Sequence, residues 1–331
     1  MRKHVKIKAK LAITALAAGT LFTMAGWPFF RFICYCGKKG SASSKKKKKK
    51  WFQLKHTVIN HPRHLYNDEY EETKKWCEAQ NMTDYYITAR DGLKLHASYF
   101  PAENPERIIL MSHGYKGSAF GSVAHMAEYL HDNNADLLFM DQRCCGESEG
   151  KYITFGAKEQ YDIIDWLKLI ESINKYKLPV YLYGQSMGAA AVLLASGQGL
   201  PKEVHGIIAD CGFLSMKTQL RDIASGWFHL HWGELLLLRV DLFCRIFAGF
   251  RMKDTDVGAA LKKNTVPVIF FHGEDDTYVF PRNSVMNFET CRAPKELVLV
   301  PKARHLCCSF TDPEMYESKL RNFFDRLDQG I

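Results

Sequence analysis

A single α/β domain, with a mostly parallel central sheet and helices on both faces, is predicted by three observations. Short apolar runs recur from residue 108 to residue 300, and most are separated by stretches of helical periodicity. An alternating pair of segments flanks an Asp91-Gly92 turn at the front of this series, which reads as a β-hairpin. Between Pro179 and Ser196 a buried strand breaks at glycines and passes directly into a buried helix.

The elements follow in order. A polar, aromatic lead-in covers Trp51 to Asn81, with a helix around Asp68 to Glu78. Tyr85–Arg90 and Leu93–Tyr99 form the hairpin. Ile108–Ser112, Leu137–Asp141, Val180–Gly184, Gly206–Asp210, Val266–Phe271 and Leu297–Val300 read as strands. Val123–Asn133, Lys158–Ile173, Gly188–Ser196, Arg282–Thr290 and Pro313–Leu327 read as helices. The strand rhythm stops between Cys211 and Lys263, where a helical, leucine- and aromatic-rich stretch intervenes. Trp227, Phe228, Trp232, Leu235 to Leu238, Phe243 and Phe247 there either line an acyl-binding pocket or pack the stretch onto the sheet. No internal repeat is visible.

Charge divides the chain. The 331 residues carry a formal net charge of +9, yet residues 1–50 hold 14 Lys or Arg and no acid, leaving 31 basic against 36 acidic residues beyond them. The globular part is mildly acidic, which argues against a nucleic-acid partner. The first fifty residues read as a basic start, an uncharged and mostly apolar run from Leu11 to Phe30, and a lysine-rich linker ending in Lys45–Lys50. Twenty residues of helix span about 30 Å, so the run reads as a single-pass membrane anchor, with a cleaved signal peptide and secretion as the alternative. Flanking lysines suit anionic lipid head groups. The positive-inside bias and ten cysteines without regular spacing place residues 51–331 in the cytoplasm.

The ends of the strands carry the chemistry, as in other open parallel sheets. Gly184-Gln185-Ser186-Met187-Gly188 is a G-x-S-x-G turn, which can present a serine hydroxyl between strand and helix. His113-Gly114-Tyr115 follows an earlier strand, where the Tyr115 amide, with that of Met187, can face a developing oxyanion. His272-Gly273-Glu274-Asp275-Asp276 places a carboxylate past a later strand, and Pro301 to His305 places a histidine past the last one. A serine needs a base to take its proton, and a carboxylate orients such a base. No C-x-x-C pair or H-E-x-x-H helix is present, so neither a metal nor a cofactor is expected. Cys144-Cys145 and Cys307-Cys308 stand near these loops, either as sites where oxidation modulates activity or as ordinary loop residues.

From Tyr85 to Leu327 the sequence resembles the α/β-hydrolase superfamily, in its bacterial serine aminopeptidase-like and esterase/lipase-like branch. DGLKLHASYFPA, SHGYKGS, MDQRCCGESEGKYITFGAKEQYDIIDWL, YGQSMGAAAVLLASG, ADCGF, VPVIFFHGEDDTYV and LVPKARH carry the resemblance. It implies an α/β-hydrolase fold with a small helical cap at about 212–263. It also implies Asp276 as the acid, with Asp275 and Glu274 as fallbacks, and structural roles for Asp141, Arg143, Gly146 and Ser148. The resulting expectation is a serine hydrolase using Ser186, His305 and Asp276, with backbone amides of Tyr115 and Met187 for the oxyanion, supported by His113, Gly114, Gly184 and Gly188. A small-molecule carboxylic ester of acyl or lipid type is the substrate read first. An aminopeptidase or amidase on the same residues, and a non-catalytic membrane-tethered binding protein, are the alternatives.

Overall fold

The computed structural model describes residues 26–37, 65–121, 123–228 and 233–328. Eight strands form one sheet: β1 Thr83–Thr88, β2 Lys94–Phe100, β3 Arg107–Ser112, β4 Ala135–Met140, β5 Val180–Gln185, β6 Val204–Asp210, β7 Val268–Gly273 and β8 Lys295–Val300. Their order across the sheet is β1-β2-β4-β3-β5-β6-β7-β8. The β1–β2 hairpin is antiparallel and β2 joins β4 antiparallel, while all pairings from β4 to β8 are parallel.

Strands buried on both faces read as unbroken apolar runs, because successive side chains alternate between two cores. In β3, Ile108 and Leu110 enter one core and Ile109 and Met111 the other. In β7, Val268 and Phe270 oppose Ile269 and Phe271 in the same way. The ten-residue helix Met187–Ser196 is buried along its whole length against the first core. The predicted strands all form, five of them longer by one or two residues and the other three shifted by one or two. The predicted helix Val123–Asn133 is instead a 3₁₀ turn, Ala124–Met126, followed by the short helix Ala127–Asp132.

Chain order decides where the chemistry can sit. The chain leaves β3 toward β4 on one side and later returns to β5 on the other. The carboxyl ends of β3 and β5 therefore flank the point where the connections diverge. Between β6 and β7 the described chain is helical: Met216–Phe228, Gly233–Phe243, a π turn Cys244–Ala248, a 3₁₀ turn Met252–Thr255 and Val257–Leu261. This corresponds to the predicted cap segment. Trp232 lies outside the described residues.

Among the described residues no helix is long and apolar enough to cross a membrane. Most of the predicted span, residues 11–25, and the lysine-rich linker lie outside the described residues. Its final part corrects the sequence reading. Residues 26–30, expected inside the span, begin a helix over 26–34 that packs on the domain. Phe30 is fully buried beside Trp27, Tyr152, Phe243 and Phe247, with ring centroids 5.5–6.1 Å apart. A Cβ on Gly26 would stand 2.5 Å from Arg239 Cβ, so glycine is what lets this helix approach the cap. Beyond it, Ile153 N–H donates to Cys34 O at 2.8 Å and Cys36 N–H to Lys151 O at 3.0 Å. Sequence composition cannot separate a lipid-facing phenylalanine from one buried against a cap.

Truncating Phe30 to alanine should therefore cost about 3–5 kcal/mol of folding free energy, the usual range for a buried aromatic ring. Urea unfolding of the full chain measures it. A loss below about 1 kcal/mol would mean that helix 26–34 is not part of the packed body.

Candidate active site

Ser186 occupies the residue between β5 and the buried helix, with φ 53° and ψ −113°. A non-glycine residue at positive φ is held there only when its surroundings over-determine it. Two constraints do so. Ser186 N–H donates to Asp210 O, at the end of β6, over 2.8 Å. The glycines on either side permit the tight turn: a Cβ on Gly184 would lie 2.4 Å from Gly188 O, and one on Gly188 would lie 2.0 Å from Ser112 O. Because Ser112 pairs with Gly184 across β3 and β5, this contact locks the His113 loop beside the serine turn.

A parallel argument brings the other two loops together. Gly273 at the end of β7 pairs with Val300 at the end of β8, and a Cβ on Gly273 would meet Ala303 O at 2.2 Å. Asp276 and His305 follow these strand ends. His305 Nε2 lies 3.0 Å from Ser186 Oγ, and His305 Nδ1 lies 2.7 Å from Asp276 Oδ2. The three residues are buried, and they form one continuous hydrogen-bonded line. Asp275 and Glu274, the fallback acids, are both exposed.

Asp276 is held ionised. Burial, the largest influence on it, disfavours the charge, but the electrostatic interaction with the His305 imidazole and hydrogen bonds from His272 and His305 outweigh it. The carboxyl is thereby held well below the usual carboxylate range. Its other oxygen, Oδ1, accepts the N–H groups of Tyr278 at 2.8 Å and Val279 at 2.9 Å. An ionised Asp276 accepts from Nδ1–H of His305, which leaves Nε2 to accept from the serine hydroxyl. Such a line can move a proton from Ser186 to His305 while the carboxylate stabilises the imidazolium.

His272 was quoted in the sequence motif without a role. Its Nε2 faces two acceptors, Val279 O at 2.7 Å and Asp276 Oδ2 at 3.2 Å, so it carries a proton there. Nδ1 then accepts the Ser284 hydroxyl at 2.6 Å. A histidine four residues before the acid, at the last turn of the same strand end, was the available signal. Tyr70 of the lead-in helix Asn67–Ala79 was also missed. Its hydroxyl donates to Leu306 O at 3.0 Å, bracing the residue after His305, itself at φ 64°.

His113 and Gly114 shape the loop that follows β3. Gln142 N–H donates to His113 Nε2 at 3.1 Å, and His113 Nδ1–H donates to Gly114 O at 2.8 Å. Tyr115 donates its hydroxyl to Ile33 O at 2.6 Å and Lys116 Nζ reaches Phe32 O at 2.9 Å, so helix 26–34 ends against this loop. Met187 is the first residue of the buried helix, where a backbone N–H has no partner in its own helix. The Asp141 stretch is structural. Asp141 accepts from His96 Nδ1 at 2.8 Å, Arg143 forks onto Asp162 at 2.8 and 2.7 Å, and Ser148 Oγ donates to Asp141 O at 2.6 Å. Gly146 adopts φ 50°, where a Cβ would fall 1.8 Å from the Asp141 carboxyl.

The cysteines near the site are closed. Burial pushes the Cys307 thiol up to about 12 and raises that of Cys308 well above its ordinary value. A hydrogen bond with Cys36, then burial, raises Cys144. Protonated, inaccessible thiols are poor redox sensors. Cys211, Asp276 and His305 bring a sulfur, an oxygen and a nitrogen within 4.8 Å of one another. A metal ion there would have to take His305 and Asp276 away from the line they already form.

Comparison with known proteins agrees with this architecture. A family model described as serine aminopeptidase, S33, matches residues 103–245. The uncharacterized protein YqkD of Bacillus subtilis is 25% identical over 253 residues, covering 76% of this chain and 82% of its own. A monoglyceride lipase of Saccharomyces cerevisiae is 25% identical over 288 residues, covering 72% and 91%. The Pyrococcus furiosus esterase Pf2001 superposes with a TM-score of 0.60 at 23% identity, over 75% of this chain and 93% of that one. The chain has the α/β-hydrolase fold. A soluble variant of the Saccharomyces monoglyceride lipase, bound to a substrate analog, shares the α/β-hydrolase fold with a TM-score of 0.56 at 21% identity.

The depressed acid gives this fold a defined pH response. A carboxyl whose folded pKa lies below its unfolded value of about 3.9 stabilises the fold above that value, and the contribution disappears as the pH falls. The excess stability of the wild type over Asp276→Asn should thus shrink on acidification from pH ~6 to pH ~3.5. Urea unfolding across that range checks it, and a constant difference would mean that Asp276 is not ionised in the fold.

Proposed function

We propose that this chain is a serine hydrolase that cleaves carboxylic esters through an acyl-enzyme. The observation that carries the proposal is the unbroken line from Asp276 through His305 to Ser186, on a turn held at positive φ. In this reading Ser186 Oγ attacks the substrate carbonyl as its proton passes to His305 Nε2, and Asp276 stabilises the imidazolium. The amides of Tyr115 and Met187 hold the oxyanion. The alcohol leaves with the proton from Nε2. Water then attacks the acyl-serine with His305 as base, and the acid and free Ser186 are regenerated.

An ester of a small acyl or lipid-like substrate is the favoured class. Support comes from the apolar cap segment and from two similar proteins, an esterase and a monoglyceride lipase. A serine aminopeptidase or amidase is the second reading, favoured by the family model over residues 103–245. The same three side chains serve either bond, so the choice rests with the groups around the acyl and leaving-group sites.

Labelling with a fluorophosphonate probe, alongside hydrolysis of p-nitrophenyl esters of rising chain length and of aminoacyl amides, tests the proposal. Ser186→Ala should abolish labelling, and Ser186→Ala and His305→Ala should each lower kcat by on the order of 10⁴-fold or more. Asp276→Asn should act mainly on kcat as well, because it leaves His305 in the wrong tautomer. A folded wild type that neither labels nor turns over any of these substrates would leave a binding protein as the reading.

A further inference from the structure

A helix lying on a globular domain needs one apolar stripe, turned inward. The cap helix Gly233–Phe243 and its π continuation carry two. Leu237, Val240, Cys244 and Ala248 are buried against the domain. On the opposite face Leu235, Leu238, Leu242 and Ile246 follow at the same three- and four-residue spacing, and they are exposed, Leu238 to 58% and Ile246 to 60%. Helix 26–34 lies against the flank between these stripes, with Trp27 4.7 Å from Phe247 and 5.4 Å from Phe243. It adds exposed Phe29 and Phe32. Seven of the twelve large apolar side chains exposed among the described residues belong to these two neighbouring elements, which makes a concentrated face rather than scattered surface residues.

Charge identifies what covers it. Helix 26–34 is preceded by Arg2, Lys3, Lys6, Lys8 and Lys10 and followed by Lys38, Lys39 and Lys45–Lys50, with no acidic residue anywhere in the first fifty. Arg31 and Arg245 are exposed within the apolar elements themselves. The nearby acid Glu234 is already paired, with Lys217 at 3.0 Å and with Arg221. Fifteen uncharged residues, Leu11–Ala25, lead directly into the first turn at Gly26. Asp241, the other acid of this helix, accepts the Met252 N–H. Apolar side chains interspersed with exposed Arg31 and Arg245, and continuous in sequence with basic stretches that hold no acid, fit the interface of an anionic bilayer, where such side chains enter the acyl boundary and basic groups stay at the phosphates.

We infer that the outer face of helix Gly233–Phe243, with its π continuation and helix 26–34, docks on an anionic lipid surface. The domain thus lies against the bilayer through its cap, whatever the upstream residues do. The same helix 26–34 ends on the Tyr115 loop, so the docked face adjoins the proposed oxyanion site. The inference does not depend on catalysis, and its test reads none.

Nine of the ten native cysteines are buried and Cys36 is half-buried, so a thiol placed on the surface is the preferred target of a bulky reagent. Full-length Leu238→Cys and Ile246→Cys would be labelled with an environment-sensitive dye and mixed with phosphatidylcholine–phosphatidylglycerol vesicles. Tyr176→Cys, exposed to 80% just before β5 at the opposite end of the strands, is the control. The expected result is flotation with the vesicles, with blue-shifted emission quenched by lipid-borne nitroxide at positions 238 and 246 but not at 176. Flotation with the dye at 238 and 246 still quenched by aqueous iodide would overturn the inference, leaving upstream residues as the sole attachment. So would failure to float. A blue shift at 238 and 246 already present without vesicles would equally overturn it, in favour of cover by this chain or a second copy. Unchanged melting of each variant establishes that the fold is intact.

Discussion

Much of this molecule depends on one close approach, that of Gly188 to the Ser112 carbonyl. Any side chain at position 188 would collide with the backbone of β3. With hydrogen there instead, the buried helix begins against the strand end, Ser186 is forced to positive φ, and the loop starting at His113 is fixed alongside. A backbone contact is stiffer than any contact between side chains. It sets the position of a hydroxyl without committing that hydroxyl to a structural hydrogen bond. The helix pays no apparent penalty for its small residues, since all ten positions are buried between sheet and neighbouring helices.

Electrostatics complete what backbone geometry begins. A buried carboxylate is tolerated only when donors and positive charge surround it. Asp276 has two backbone N–H groups on one oxygen and two imidazoles at the other. Each donor also positions the acid, so the arrangement that keeps Asp276 charged keeps it aimed at His305. His272 links this loop to Ser284 on the next helix, and Tyr70 secures the far side of the histidine loop. The site is supported by elements well separated in sequence.

The sheet was legible because strands β3 to β7 are buried almost throughout and so stand out as apolar runs, whereas edge strand β8, with Lys295 and Leu299 exposed, reads as a strand only over its last four residues. The serine, acid and histidine were legible because each follows such a run, and glycine marks two of the turns. The supporting residues were not. Nothing in the spacing of Tyr70 or Gln142 announces a partner, since their bonds reach Leu306, over two hundred positions away, and His113, across the β3–β4 crossover. The least legible stretch was 26–36. Its composition is that of a lipid-facing helix, and rings far along the chain, Tyr152 and those of Phe243 and Phe247 in the cap, give Phe30 a protein environment. Leu235 and Leu238 escaped for the same reason: hydrophobicity alone does not say which face of a cap helix has a neighbour.

That stretch also limits how modular the chain is. Phe32 O and Ile33 O, carbonyls of the last turn of their helix, accept from Lys116 and Tyr115, so the loop above the serine serves as that helix's C-terminal cap. Gly26, Phe30 and Cys34, spaced four apart, form the stripe that fits it to the body. Residues 26–36 therefore belong to the packed body. A foreign segment spliced on at Trp51, where the lysines end, would bring no residues to fill the groove beside Phe243 and no carbonyls for Tyr115, and any transplanted leader would have to reproduce that stripe in register.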